Sequence, residues 1–121
     1  MEEYILIVDD HPSFRCLMRS LLLDCGYRVK LAANGFECLK IAGSASKPSL
    51  IFLDYQMPYM TGFEVLKALK SHEFTRTIPV VIVSAVDGLE KIARIYGATA
   101  VLTKPFEINS LIEVIHGIEE K

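Results

Sequence analysis

Residues 50–54 read Leu50-Ile51-Phe52-Leu53-Asp54, four apolar side chains in succession closed by a carboxylate. A strand with one wet face alternates apolar and polar residues, because successive side chains point to opposite sides. A strand that is apolar at every position has both faces covered, as in a parallel sheet between two layers of helices. Three further stretches repeat the design. Ile5-Leu6-Ile7-Val8 runs into Asp9 and Asp10, Val80-Val81-Ile82-Val83 runs into Ser84, and Val101-Leu102 is followed closely by Lys104 and Pro105. If these are parallel strands of one sheet, three acids, a hydroxyl and an ammonium gather at a single edge.

Between the apolar runs lie longer segments with helical spacing, the alternation that marks βα units. The first strand is expected over about Tyr4–Val8. A helix opens at Pro12, where a missing N–H costs nothing. Phe14, Leu17, Met18, Leu21, Leu22 and Cys25 then recur at helical spacing, and Gly26 closes it. Arg28–Ala32 alternates charged and apolar residues and reads as an edge strand. A second helix starts near Asn34, buries Cys38, Leu39 and Ala42, and stops near Gly43. Ser44–Ser49 forms a polar loop before the strand Leu50–Leu53. Asp54–Thr61 forms a second loop, and Gly62 to about Ser71 a third helix. Pro79 precedes the fourth strand. Leu89, Ile92, Ala93 and Tyr96 share a face of a fourth helix that ends at Gly97. After a strand at about Ala100–Leu102, a fifth helix turns Ile108, Leu111, Ile112 and Ile115 inward and Glu113, His116 and Glu119 outward. The expected fold is a (βα)5, doubly wound parallel α/β sheet, one domain spanning residues 1–121.

Composition excludes several classes of function. The chain has 121 residues, 51% hydrophobic and 23% charged, with a net charge of −2. It has no basic stripe to attract nucleic acid. No apolar stretch approaches the ~18 residues of a membrane span, and the Met-Glu-Glu start is not that of a signal peptide. A cytoplasmic location is expected. Cys16, Cys25 and Cys38 lack a C-x-x-C spacing and read as reduced, partly buried thiols.

The edge groups define a chemistry. Asp9 and Asp10 repel one another, and a divalent cation resolves the repulsion. Mg²⁺ takes oxygen ligands, often one or two protein carboxylates, and keeps water for phosphate. A solvated turn or a helix cap before Pro12 is the plainer alternative for the pair. Asp54 can attack phosphorus through a carboxylate oxygen to form an acyl phosphate, or merely cap its loop. Ser84 can donate to a phosphoryl oxygen, and Lys104 is a point charge for carboxylate or phosphate. The Lys104–Pro105 bond is open to either isomer. His11 adjoins the acid pair but reads as a solvated loop residue. Met57-Pro58-Tyr59-Met60 is apolar for a loop and is expected to pack over the third helix.

With these residues in hand, the chain resembles the receiver domain of two-component response regulators, of the chemotaxis-regulator type. The resemblance rests on Ile-Leu-Ile-Val-Asp-Asp at 5–10, Leu-Asp-Tyr-Gln-Met-Pro-Tyr-Met-Thr-Gly at 53–62, Val-Ser-Ala at 83–85, Tyr-Gly-Ala at 96–98 and Thr-Lys-Pro-Phe at 103–106. It implies a flavodoxin-like strand order 2-1-3-4-5. It also implies Asp54 as phosphoacceptor, a Mg²⁺ site of Asp9, Asp10, Asp54 and the Gln56 carbonyl, and Lys104 and Ser84 on the phosphoryl group. Asp10 would bind the metal directly and Asp9 mainly through water. The implied donor is a phosphohistidine of a histidine kinase or phosphotransfer domain, and the implied recipient a downstream target or output domain. Such a domain catalyses its own phosphorylation and dephosphorylation and is not a conventional turnover enzyme. Pro105 and Phe106 would belong to a docking surface, or Phe106 would plug the fifth helix.

One position departs from the family. A Tyr or Phe usually stands three residues before the lysine, and here that residue is Val101. Phosphotransfer does not need the ring, but its rotamer readout is lost, so a muted or rerouted response is expected. Two other readings compete. A phosphorylation-independent interaction domain of the same fold would have lost an acid, the lysine or the hydroxyl, and all are present. A hydrolase working through an aspartyl phosphate typically carries a second Asp two residues after the nucleophile, where this chain has Gln56.

Overall fold

The computed structural model describes residues 3–120; Met1, Glu2 and Lys121, and with them the reading of the chain's two ends, lie outside it. Five strands alternate with five helices: β1 (Ile5–Val8), α1 (Pro12–Asp24), β2 (Val29–Ala32), α2 (Gly35–Ala42), β3 (Leu50–Asp54), α3 (Gly62–Ser71), β4 (Val80–Ser84), α4 (Glu90–Ile95), β5 (Ala100–Thr103) and α5 (Ile108–Glu119). All neighbours pair in parallel, in the order β2-β1-β3-β4-β5.

The unbroken apolar runs are explained by two cores, one on each face of the sheet. Leu6, Val8, Ile51, Leu53, Val80 and Ile82 face α2, α3 and α4, where Cys38, Val65, Leu66, Leu69 and Ala93 meet them. Their neighbours Ile5, Ile7, Leu50, Phe52, Val81 and Val83 face Met18 and Leu22 of α1 and Leu111 and Ile115 of α5. Each strand therefore contributes to both cores by simple alternation. β2 is an edge strand, as its charge pattern suggested, with Lys30 exposed.

Local chemistry sets the helix ends. Asn34 accepts the Glu37 N–H, and Thr61 and Glu64 form a reciprocal capping box that starts α3 directly after the Asp54 loop. Gly26 (φ 91°) and Gly97 (φ 100°) adopt the left-handed turn that follows α1 and α4.

Several expected inward faces are narrower than their periodicity implied. Leu17 is 54% exposed, because α1 seats Met18 and Leu22 squarely on the sheet and leaves Leu17 to one side. Cys16 and Cys25 are exposed rather than partly buried, and only Cys38 lies in the core. Burial pushes the Cys38 thiol up to about 12. α4 is six residues long, so only its Ala93 reaches the core, while Ile92 and Tyr96 stay 42% and 39% exposed. Ile108, the first residue of α5, is also exposed, whereas Leu111 and Ile115 are buried. The apolar loop after β3 does pack inward: Met57 joins the core and Met60 packs against it, while Tyr59 stands out in solvent.

Candidate functional site

The carboxyl ends of β1, β3, β4 and β5 converge. Asp9 follows β1, Asp54 and Ser84 are the last residues of β3 and β4, and Lys104 follows β5. Backbone hydrogen bonds align these ends: Tyr55 N–H donates to the Val83 carbonyl at 2.9 Å, and Lys104 N–H to the Ser84 carbonyl at 2.7 Å. Lys104–Pro105 is a cis peptide bond.

Asp9, Asp54 and Ser84 are buried. Carboxylate oxygens of Asp9, Asp10 and Asp54 and a ring nitrogen of His11 all lie within 4.8 Å of one another. Lys104 Nζ sits 3.1 Å from Asp9 Oδ2 and 3.7 Å from Asp54 Oδ1. In this arrangement the ammonium is tied to Asp9 and stands near Asp54. Burial pushes the Asp54 carboxyl up from 3.8 to about 6, reinforced by the Asp9 charge and opposed by Lys104.

The donor set fits a hard cation. Three carboxylates meet at an edge, and Asp10 Oδ1 is buried without a hydrogen-bond partner. His11 Nδ1 approaches it to 3.3 Å without making a hydrogen bond. An orphaned carboxylate oxygen in such a place calls for a positive partner. Ser84 Oγ accepts the Val86 N–H at 2.9 Å and keeps its own proton to donate. Gln56 is exposed on the loop just past Asp54.

Side chains beyond the edge cluster also reach the site. His11 is exposed yet lies 3.2 Å from Asp9 Oδ1, so it is engaged with the acids and not merely solvated. Its backbone N–H also donates to Asp9 Oδ1, and Arg15 Nη1 donates to the Asp9 carbonyl at 2.7 Å. These bonds lock the first turn of α1 to the acid. Phe14, read only as a core position, lies with its ring centroid 4.0 Å from Lys104 Nζ and meets Phe106 edge-on at 6.2 Å. On the other face Tyr55, Phe63 and Tyr96 form a continuous aromatic row, with centroids 5.0 Å and 5.1 Å apart. Val101 pairs in register with Ile82 and packs against the same core. Nothing in the spacing of 14 and 104, or of 63 and 96, signals these contacts, because they join elements distant in the chain.

A doubly wound parallel sheet with an acid cluster at its carboxyl edge defines a flavodoxin-like α/β protein with its site where such sheets bind ligands. The family model for the response regulator receiver domain matches residues 5–116, and the chain belongs to that family. It is 36% identical over 117 residues to the polar-differentiation response regulator DivK of Brucella anthropi, covering 95% of this chain and 94% of that one. It is 38% identical over 104 residues to the two-component response regulator ORR7 of Oryza sativa subsp. japonica, covering 84% of this chain but only half of that protein's length. Among solved structures, the chemotaxis response regulator CheY4 of Vibrio cholerae superposes with a TM-score of 0.89 at 31% identity, covering 98% of this chain and 99% of that one. The chain is thus a signalling domain of the phosphoacceptor class and not a conventional enzyme. Among the described residues, no helix is long and apolar enough to cross a membrane.

Proposed function

We propose that Asp54 accepts a phosphoryl group from a phosphohistidine on a histidine kinase or phosphotransfer domain, and that the resulting acyl phosphate alters binding of a downstream partner. Residues 1–121 act as one cytoplasmic receiver unit in this reading. The carrying observation is the convergence of the Asp9, Asp10 and Asp54 carboxylates within 4.8 Å, with the Lys104 ammonium 3.7 Å from Asp54.

The ionised Asp54 oxygen attacks phosphorus, the P–N bond of the donor breaks, and its electron pair stays on the imidazole, which takes up a proton. Asp10, Asp54 and the Gln56 carbonyl are the proposed direct holders of Mg²⁺, with Asp9 acting mainly through water. Held there, the ion would supply positive charge to offset the carboxylates and the incoming phosphoryl group. Lys104 exchanges part of its pairing with Asp9 for a phosphoryl oxygen. Ser84 donates its hydroxyl proton to another. These groups stabilise charge that grows on the transferring phosphoryl group.

Incubation with acetyl phosphate and magnesium is expected to add one phosphoryl group, seen in the intact mass and not formed when magnesium is chelated before the donor is added. An unchanged mass over hours, with the fold intact by circular dichroism, sinks the proposal.

The readout is expected to be muted. Val101 offers no ring to swing toward the site, while the nearby aromatic bulk lies at Tyr55, Phe63 and Tyr96. Beryllofluoride with magnesium should shift amide resonances strongly around residues 54–62 and weakly across α4, β5 and α5. Large shifts spread over those last three elements would show that the switch works at full amplitude without its usual ring.

A further inference from the structure

Lys104 reaches the site on a flexible stem of four methylenes, and its side chain is 23% exposed. A free lysine of that length has many conformers, most of which point its charge into water. Here something holds it. The Phe14 ring centroid lies 4.0 Å from Nζ, within the range in which the negative face of an aromatic ring attracts an ammonium. That ring is itself held on several sides. Phe106 meets it edge-on at 6.2 Å and 87°, and both rings pack against the core beneath α1 and α5. The helix turn that carries Phe14 is pinned by Arg15 on the Asp9 carbonyl and by the His11 N–H on Asp9 Oδ1.

We infer that Phe14 is a positioning residue for phosphoryl transfer, holding the Lys104 ammonium over its ring face and against Asp9 and Asp54. This rests on the proposed role of Lys104. Ring and carboxylates act on different sides of the same cation. The carboxylates draw Nζ to the edge of the sheet, and the ring keeps it there when magnesium and a phosphoryl group draw the carboxylate charge away. Phe14 touches no reacting atom; its effect passes through Lys104.

The test uses phosphoramidate, so that lost protein docking cannot imitate lost positioning. Rates at saturating donor are compared for the parent chain, Phe14→Leu, Phe14→Tyr and the chain with 3,4,5-trifluorophenylalanine at position 14. The fluorinated ring keeps the shape but weakens the negative face. Both Phe14→Leu and the fluorinated chain should transfer roughly 3- to 10-fold more slowly, a loss expected for one partly exposed cation–ring contact. Phe14→Tyr should stay near the parent rate, and the magnesium concentration for half-maximal rate should not move. As a readout independent of transfer, the Lys104 ε-methylene protons should resonate upfield in the parent and return to ordinary values in Phe14→Leu.

A fluorinated chain as fast as the parent overturns the inference, even if Phe14→Leu is slow, because packing alone would then explain the leucine result. A Lys104 ε-methylene at its ordinary position in the parent overturns it as well. If the parent takes no phosphoryl group while the ring-current shift is present, the proposed function fails and the inference with it. If the parent is phosphorylated normally and the variants match it, only the inference fails.

Discussion

Asp54→Asn is expected to take up no phosphoryl group and, in metal-free buffer at neutral pH, to resist denaturant better than the parent chain. The first part follows from chemistry. An amide oxygen is a poor nucleophile toward phosphorus, and the other acids at the edge are not at the end of β3. The second part follows from electrostatics. Asp54 is buried beside Asp9, which raises its carboxyl from 3.8 to about 6. Below roughly pH 4 both folded and unfolded chains hold this proton and the residue contributes no penalty. Between about pH 4 and about 6 the unfolded chain releases the proton while the folded chain retains it, so stability falls as pH rises. Above that window the deficit is complete. A shift of this size corresponds to roughly 3 kcal/mol. Solvent screening at the open end of the sheet reduces it, so a gain of about 1–2 kcal/mol is expected for Asp54→Asn at pH 7. Urea titrations from pH 3.5 to 8 should show the two chains diverging across that window, with magnesium narrowing the gap. A variant that is less stable at every pH contradicts the electrostatic account, and one that still gains a phosphoryl group at residue 54's loop removes Asp54 from the mechanism.

Gly62→Ala should damage both fold and site. A Cβ at Gly62 would lie 2.6 Å from the Asp54 carbonyl oxygen and 2.9 Å from the Tyr55 Cα, both backbone atoms that cannot rotate aside. The Gly62 N–H donates to the Tyr55 carbonyl at 2.8 Å, so the chain returns onto the residue after Asp54. Relief requires either the start of α3 or the end of β3 to move. Inserted bulk of this kind costs about 2–3 kcal/mol, or a melting point lower by about 10 °C. Because the displaced atoms belong to Asp54 and its neighbour, phosphoryl uptake should slow as well. Gly117→Ala is the control: α5 has open space there, and exchanging an exposed helical glycine for alanine should stabilise by about 0.5–1 kcal/mol. If the two substitutions prove equally harmless, the close approach at Gly62 does not constrain the loop.

How far this could be read in advance differs by residue. Leu50–Leu53 and Val80–Val83 announced strands covered on both sides, because such residues have no other favourable place than between two helix layers. Asp9, Asp10, Asp54, Ser84 and Lys104 were legible as an edge cluster, since each ends or follows such a run. His11 is solvated as read, but its approach to two carboxylates depends on how the chain turns between β1 and α1 and was not legible. Ile92 and Tyr96 looked inward by spacing, but a helix of six residues presents too little length to press a full stripe against the sheet. Phe14 was indistinguishable from an ordinary packing residue, since its partners at 106 and 104 come from other elements.

The order of apolar and polar residues along the chain by itself determined the βα alternation, the two-sided burial of the strands and the set of charged groups at their ends. Those properties depend on side-chain hydrophobicity and on the two-residue period of a strand, both local. Only the tertiary structure decided that Lys104 pairs more closely with Asp9 than with Asp54, that Phe14 lies beneath it, and that Gly62 closes onto the Asp54 backbone. Distances of a few ångströms between residues tens of positions apart are set by how whole elements pack, and no spacing in the chain encodes them.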